Sequence, residues 1–235
     1  MNKKLVKIIP ITLCMFLTFT SCTEKANKIS SEVSVAIQKE TTEATEEKQI
    51  DPSENNKKIA DLYNKVLDNI DSYTFTEYGE EGKVTYSYEL VNTNSSDIPQ
   101  LLVAQNTDYG LANIKIFSPN DDFTKEITTD EIYTIGVASA GGFRADITQS
   151  ENRDALLYTS ISAGTGVATK EKITTSIEND NLELQSEVIW EGLVDSMAED
   201  NSFKINFTDI ADRKKIENLT NIIDGEFRNS VGTTN

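Results

Sequence analysis

Cys22 is the residue with the clearest potential for chemistry in this 235-residue chain. It follows three lysines, an apolar run over residues 8–19, and the small residues Thr20 and Ser21. A basic start, a short apolar core and small residues before a cleavage point are the parts of a bacterial secretory signal. We therefore expect cleavage between Ser21 and Cys22.

The same segment has two other interpretations. It could be an ordinary secretory signal in which Cys22 has no role, or it could be an uncleaved membrane anchor. Lys7 and Pro10 leave only about a dozen uninterrupted apolar-to-neutral residues, fewer than the roughly 20 that a membrane-spanning helix needs. Cys14 lies inside the apolar core and directly follows the bulky Leu13. It therefore cannot take the place of Cys22.

Arg144 and Asp146 form a second candidate site, for binding rather than catalysis. They lie two apart on a predicted strand, and side chains two apart share one face of a sheet. A planar guanidinium at such a position could clamp a carboxylate or a phosphate. The alternative is a surface ion pair that contributes little net energy.

The absence of histidine excludes several kinds of active site. The chain has no histidine, and its two cysteines are Cys14 and Cys22. Catalytic machinery of the Ser-His-Asp or Cys-His kind is therefore excluded, as are metal sites built on histidine. Any enzyme would have to use carboxylates, lysine, tyrosine or a hard cation. We predict no catalytic residue, no metal site and no cofactor, and we favour a protein that is not an enzyme.

The charge of the chain limits its partners. The formal net charge is −17, and removal of the lysine-containing signal would make it more negative. Such a surface is repelled by phosphate backbones and by anionic lipid headgroups. We therefore expect no nucleic-acid partner. A lipid anchor, rather than electrostatic attraction, would hold the protein at the membrane.

Four segments can be distinguished along the chain. Residues 1–21 are the predicted signal peptide, and residues 22–51 are too polar to form a core and are predicted to be a flexible tether. Residues 52–225 are predicted to be one globular domain, followed by a frayed tail at 226–235. The domain begins with a helix, because apolar residues recur three and four apart after Asp51-Pro52. These residues are Ile59, Leu62, Tyr63, Val66, Leu67 and Ile70.

Short strand patterns occupy the rest of the domain. Eight apolar or alternating segments, separated by turn signals, fall between residues 83 and 192. Strands at this spacing without long helices between them indicate an antiparallel meander. A last helix is predicted after Phe207, with Thr208 or Asp209 as its cap and Gly225 as its end. The predicted fold is α+β, an antiparallel β-sheet meander of about seven to eight strands flanked by an N-terminal and a C-terminal helix.

Residues 19–22, Phe19-Thr20-Ser21-Cys22, resemble a lipobox, although Phe19 stands where the motif usually has leucine. The resemblance implies a diacylglyceryl group on Cys22. It also implies a location on the outer face of the bacterial cytoplasmic membrane, to which the lipid anchors the chain. A chain with two acyl groups is stably anchored, whereas a single acyl group gives only marginal binding.

Residues 86–103 resemble a strand-loop-strand pattern of an uncharacterised family of Gram-positive surface lipoproteins. That pattern has a tyrosine-bearing strand, an Asp-x-Asp-x-Asp-Gly loop that can hold calcium, and Pro-Glu-Leu-Leu on the next strand. Here Asn92, Asn94 and Ser96 replace the acids, Asp97 replaces the glycine, and Gln100 replaces the glutamate. We interpret the loop as a hairpin turn closed by its own side chains, and a calcium site as the alternative.

These observations favour a lipid-anchored extracytoplasmic protein that binds an unknown protein or small molecule. Two alternatives remain open. One is an extracytoplasmic enzyme that uses carboxylates or a bound hard cation. The other is a structural envelope protein without a small-molecule ligand.

Overall fold

The first helix lies where the apolar periodicity predicts it. In the computed structural model, which describes residues 53–75, 82–138 and 142–230, helix α1 spans Glu54–Asp68. The first turn of α1 is capped from the far end of the chain. Asp224 accepts hydrogen bonds from the backbone N–H groups of Asn55 and Asn56 at 3.0 and 2.9 Å. A carboxylate at this position satisfies orphan donors and favours the helix dipole. Asp51 and Pro52, which precede this helix in the sequence, lie outside the described residues.

Within the described residues, the rest of the domain is dominated by one antiparallel sheet of eleven strands. The strands are β1 (Thr85–Val91), β2 (Gln100–Asn106), β3 (Leu111–Pro119), β4 (Glu126–Thr128), β5 (Tyr133–Val137), β6 (Phe143–Gln149), β7 (Leu156–Ser162), β8 (Val167–Glu178), β9 (Asn181–Leu193), β10 (Phe203–Lys204) and β11 (Thr208–Asp209). Their order is β11-β1-β2-β3-β5-β6-β7-β8-β9, with β4 beside β3 and β10 beside β6. The α+β class and the meander are thus confirmed.

The predicted number of seven to eight strands is too low. Eight strands coincide with the eight predicted segments, and the three that were missed are β4, β10 and β11. Each of these has only two or three residues. A period of two cannot be recognised in so short a segment. Pairing with β3, β6 and β1, rather than a pattern of their own, makes them strands.

Strands β1–β3 are covered on both faces. Leu101, Val103 and Phe117 pack against α1 and the C-terminal helices. Leu102 and Ile116, on the opposite face, share a second core with residues of β6, β7 and β8. The sheet therefore folds over itself and the domain has three layers. All members of both cores lie between Ile59 and Phe227. The compact unit Lys48–Asn235 therefore contains both cores of the described structure.

The C-terminal part differs from its prediction. Thr208 and Asp209, predicted to cap a helix, form strand β11 instead, and helix α2 begins later, at Lys214–Leu219. A short helix α3, Phe227–Ser230, follows Gly225, whose φ of 80° ends the preceding segment. Phe227 is buried in the helix-side core. Residues 227–230 are thus packed, where a frayed tail was predicted, because Phe227 contributes apolar area to that core.

Candidate functional site

An open groove of about 1180 Å³ lies between strand β1, the segment around β10, and helices α2 and α3. Both apolar residues and amide-bearing or charged residues line the groove. The apolar residues that line it are Leu90, Val91, Phe203, Ile205, Ile222 and Phe227. The polar residues are Glu89, Gln149, Arg153, Lys204, Asn206, Lys215, Asn218, Asn221 and Ser230. An apolar surface beside a few fixed polar groups is the usual composition of a ligand site.

Strand β1 contributes a free edge to this groove. Its partner β11 pairs with it only at Ser87 and Tyr88. Beyond that point the backbone N–H of Leu90 donates to the side chain of its own neighbour, Glu89, at 3.0 Å. A buried backbone donor must be satisfied. Here a carboxylate, instead of another strand, satisfies it.

Glu89 and Lys215 form the charged wall of the groove. The ammonium group of Lys215 donates to Glu89 Oε2 and, at 2.9 Å, to the carbonyl oxygen of Asn206. Burial raises the pKa of the Glu89 carboxyl group above its usual value, although the hydrogen bond and charge of Lys215 act in the opposite direction. The pair thus links α2 to β1 and to the segment after β10.

Arg153 and Lys204 bring further positive charge to the groove. The guanidinium of Arg153 lies over the ring of Phe203, 4.2 Å from its centroid. Ser150 stabilises the turn that contains Arg153, because its Oγ accepts hydrogen bonds from the N–H groups of Asp154 and Ala155 at 3.1 Å each. The groove lining therefore contains three cations and one carboxylate, whereas the whole chain carries a net charge of −17.

The loop after β1 is closed by its own polar side chains, as predicted. Asn94 Oδ1 accepts the Ser96 N–H at 2.9 Å, and Asn92 donates to Asp97 Oδ1 at 2.9 Å. Asp97 has a φ of 62°, a conformation that glycine adopts without strain. Asp97 thus has a glycine-like conformation at the position where the resembling pattern has glycine.

Arg228 holds the single carboxylate of this loop through a backbone hydrogen bond and an ion pair, in which its Nε lies 3.6 Å from Asp97 Oδ1. Arg228 on α3 donates its backbone N–H to Asp97 Oδ1 at 2.8 Å, and its Nη2 donates to the Asn94 carbonyl oxygen at 2.8 Å. The loop and α3 therefore hold each other in place. Within the described ranges, no group of three or more acidic residues is arranged to hold a metal ion.

Replacing Arg228 with alanine is expected to lower the free energy of unfolding by about 1–2 kcal/mol, because Asp97 loses a charged partner in a partly buried setting. Urea denaturation of residues 48–235 measures this change. Arg144→Ala is the matched control, since Arg144 is exposed, and should change stability by less than about 0.5 kcal/mol.

Calcium at about 1 mM should leave the melting temperature of the native protein unchanged. A calcium-dependent rise would contradict our interpretation of the loop.

The predicted binding pair lies elsewhere. Arg144 and Asp146 are both exposed on β6 and share a face, but they form no ion pair with each other in the described structure. Asp146 instead accepts the N–H of Ile147 at 2.9 Å. Neither residue lines the groove, and anion binding by this pair stays a prediction. The predicted cleavage and lipidation residues, Ser21 and Cys22, lie outside the described residues.

The groove residues were not found by sequence reasoning. They come from β1, the turn after β6, the β10 segment, and both C-terminal helices, so no local motif marks them. In the described ranges, no helix is long and apolar enough to cross a membrane. No family model, curated protein or solved structure matches this chain. The groove geometry therefore carries the functional proposal.

Proposed function

We propose that this chain is a lipid-anchored extracytoplasmic binding protein of the bacterial cell surface, and that its ligand lies in the groove between β1, β10 and the C-terminal helices. The observation that carries this proposal is the groove itself, with its apolar residues and its cationic rim, which consists of Arg153, Lys204 and Lys215. Its volume of about 1180 Å³ exceeds the roughly 300–1,000 Å³ typical of sites for drug-sized ligands. A large or extended ligand fits such a space.

Binding explains this site better than catalysis does. Glu89 is the one carboxylate among the residues that line the groove, and it is already bound by Lys215 and by the Leu90 N–H. A glycosidase-type mechanism needs two carboxylates across one bond. Burial raises the pKa of Glu89, but this burial follows from the position of Glu89 between β1 and α2, where it bonds to Lys215. The raised pKa therefore does not require a catalytic role.

A fluorescent apolar anion tests the groove. Anilinonaphthalene sulfonate should bind residues 48–235 with a rise in fluorescence, because it combines aromatic rings with a negative charge. Phe203→Ala should weaken this binding at least about fivefold, since it removes an aromatic surface from the groove lining. Leu193→Ala is the matched control, because Leu193 is also an exposed apolar residue but does not line the groove. Absence of probe binding, or equal loss in both variants, would refute the groove as the site.

Replacing Cys22 with alanine is expected to abolish lipid attachment. The variant should accumulate as a precursor that retains its signal segment, because the acceptor thiol is missing. Mass spectrometry of the wild-type N-terminus should show an acylated Cys22. Cys14→Ala is the control and should leave acylation unchanged. An unmodified N-terminus at Thr23, or an intact Met1, in the wild-type protein would contradict the lipid anchor.

A further inference from the structure

We propose that the groove binds an extended acidic segment of another polypeptide, which adds as a strand to the free edge of β1 next to Leu90. This inference rests on the proposed function, because it names the class of ligand for the same groove. Three features of the described structure support it: the incomplete pairing of β1, the positive charge of the rim, and the apolar residues in the groove lining.

The edge of β1 that faces β11 is only partly paired. Tyr86 is joined to the chain around β11 through its carbonyl oxygen, which accepts the Ile210 N–H at 3.4 Å. Tyr88 pairs with Thr208. Leu90, the next residue of the same parity, has no strand partner for its N–H, which donates to Glu89 instead. An unpaired edge is a template for an added strand, and its backbone groups supply part of the affinity.

The charge of the rim favours an acidic ligand. Lys215 neutralises Glu89, which leaves Arg153 and Lys204 without an opposite charge in the lining. Neither residue forms an ion pair within the described part of the chain. A positively charged groove attracts acidic groups, whereas the remaining surface of this strongly negative protein repels them, so an acidic segment is directed to the groove. Charge complementarity therefore defines the ligand as acidic.

The mixed lining of the groove, with apolar and cationic residues, suits the alternating side chains of a strand. Side chains of an extended segment point alternately to opposite faces. One set would contact Ile222 and Phe227 under the helices, and the other set would lie near the cations of the rim. Apolar residues that alternate with acidic residues are therefore the expected pattern of the ligand.

Strand β9, at the other end of the sheet, also has an unpaired edge, but this edge carries no positive charge. Strand β9 exposes Val188, Ile189 and Leu193, but its charged residues are Glu183, Glu187 and Glu191. Acidic side chains on an edge discourage pairing with another strand and repel an acidic one. The inference therefore applies to β1 alone.

Peptide titrations test the strand addition directly. An acetylated, amidated Glu-Val-Glu-Val-Glu peptide should bind residues 48–235 in calorimetry with a dissociation constant below about 1 mM. The same peptide with lysine in place of glutamate should bind at least about tenfold more weakly. N-methylation of the valines and N-methylation of the glutamates block opposite edges of the peptide. One pattern should therefore weaken binding at least about tenfold and the other should not.

Variants of the protein test the role of the rim. Lys204→Gln should weaken the acidic peptide by at least about threefold. Lys214→Gln is the matched control, because Lys214 has the same charge on α2 but lies outside the groove. Glu89→Gln should strengthen binding, because it removes the one negative charge of the lining and leaves a weaker, neutral acceptor for the added strand to displace from the Leu90 N–H. Each of these changes leaves the apolar cores intact.

The outcomes separate this inference from the proposed function. Binding of anilinonaphthalene sulfonate without binding of the acidic peptide overturns the strand addition and leaves the groove as a ligand site. Equal weakening by both N-methylation patterns, or none, also overturns it, because the peptide would then bind through its side chains alone. Failure of both the probe and the peptide overturns the proposed function as well.

Discussion

Replacing Leu67 with aspartate is expected to lower the free energy of unfolding by at least about 3 kcal/mol. Leu67 is 2 % exposed and belongs to the core that α1 shares with β1–β3. The substitution removes buried apolar area and places a carboxylate where water cannot solvate it. Since a domain is stable by only about 5–15 kcal/mol, a substantial part of its stability would be lost. Urea denaturation of residues 48–235, followed by circular dichroism, measures the change.

The control for this prediction lies on the same helix. Asp61 is exposed near the middle of α1. Asp61→Asn should therefore change stability by no more than about 0.5 kcal/mol. If Leu67→Asp were as stable as Asp61→Asn, the apolar stripe of α1 would not be part of the core, and the helix-side layer would be wrong.

The elements that were predicted correctly are those with a local periodic signal. The apolar spacing of α1 and the eight long strand segments are properties of neighbouring residues, so they can be identified without knowledge of the fold. The two-sided burial of β2 also had a signal that was not used. Leu101, Leu102, Val103 and Ala104 are consecutive apolar residues, and such a run is typical of a strand that is covered on both faces.

The parts that were missed depend on contacts between distant residues. Strand β10 exists because Phe203 and Lys204 pair with β6, and β11 exists because Thr208 and Asp209 pair with β1. The groove combines Glu89, Arg153 and Lys215, which are far apart in sequence and separately look like ordinary surface charges. Only the return of the C-terminal segment to the first strand brings them together.

The loop at residues 92–97 shows the same limit from another side. Its composition predicted that polar side chains would close the turn, and the bonds of Asn92 and Asn94 confirm this. Its composition did not indicate Arg228, which lies 131 residues after Asp97. The positive charge that balances Asp97, the one acid of this loop, is the guanidinium of Arg228 on α3 rather than a metal ion.

Replacing Gly136 with alanine is expected to destabilise the domain by at least about 2 kcal/mol, because the residue has both a strained conformation and no space. Its φ is 108°, and an added Cβ would lie 2.2 Å from the carbonyl oxygen of Gly110 and 3.1 Å from the Cα of Leu111. Those atoms belong to the backbone, so the strand itself must move. Gly136 pairs with Leu111 on β3 and with Ala145 on β6.

The position of Gly136 makes this displacement costly for the whole sheet. Strand β5 lies between β3 and β6 and thus joins the two halves of the sheet that enclose the second core. Gly164→Ala is the matched control, because no atom lies within 4 Å of its added Cβ and its φ is outside the positive range. This variant should change stability by less than about 0.5 kcal/mol in the same urea denaturation. Equal stability of the two variants would mean that β5 does not hold the halves together as described.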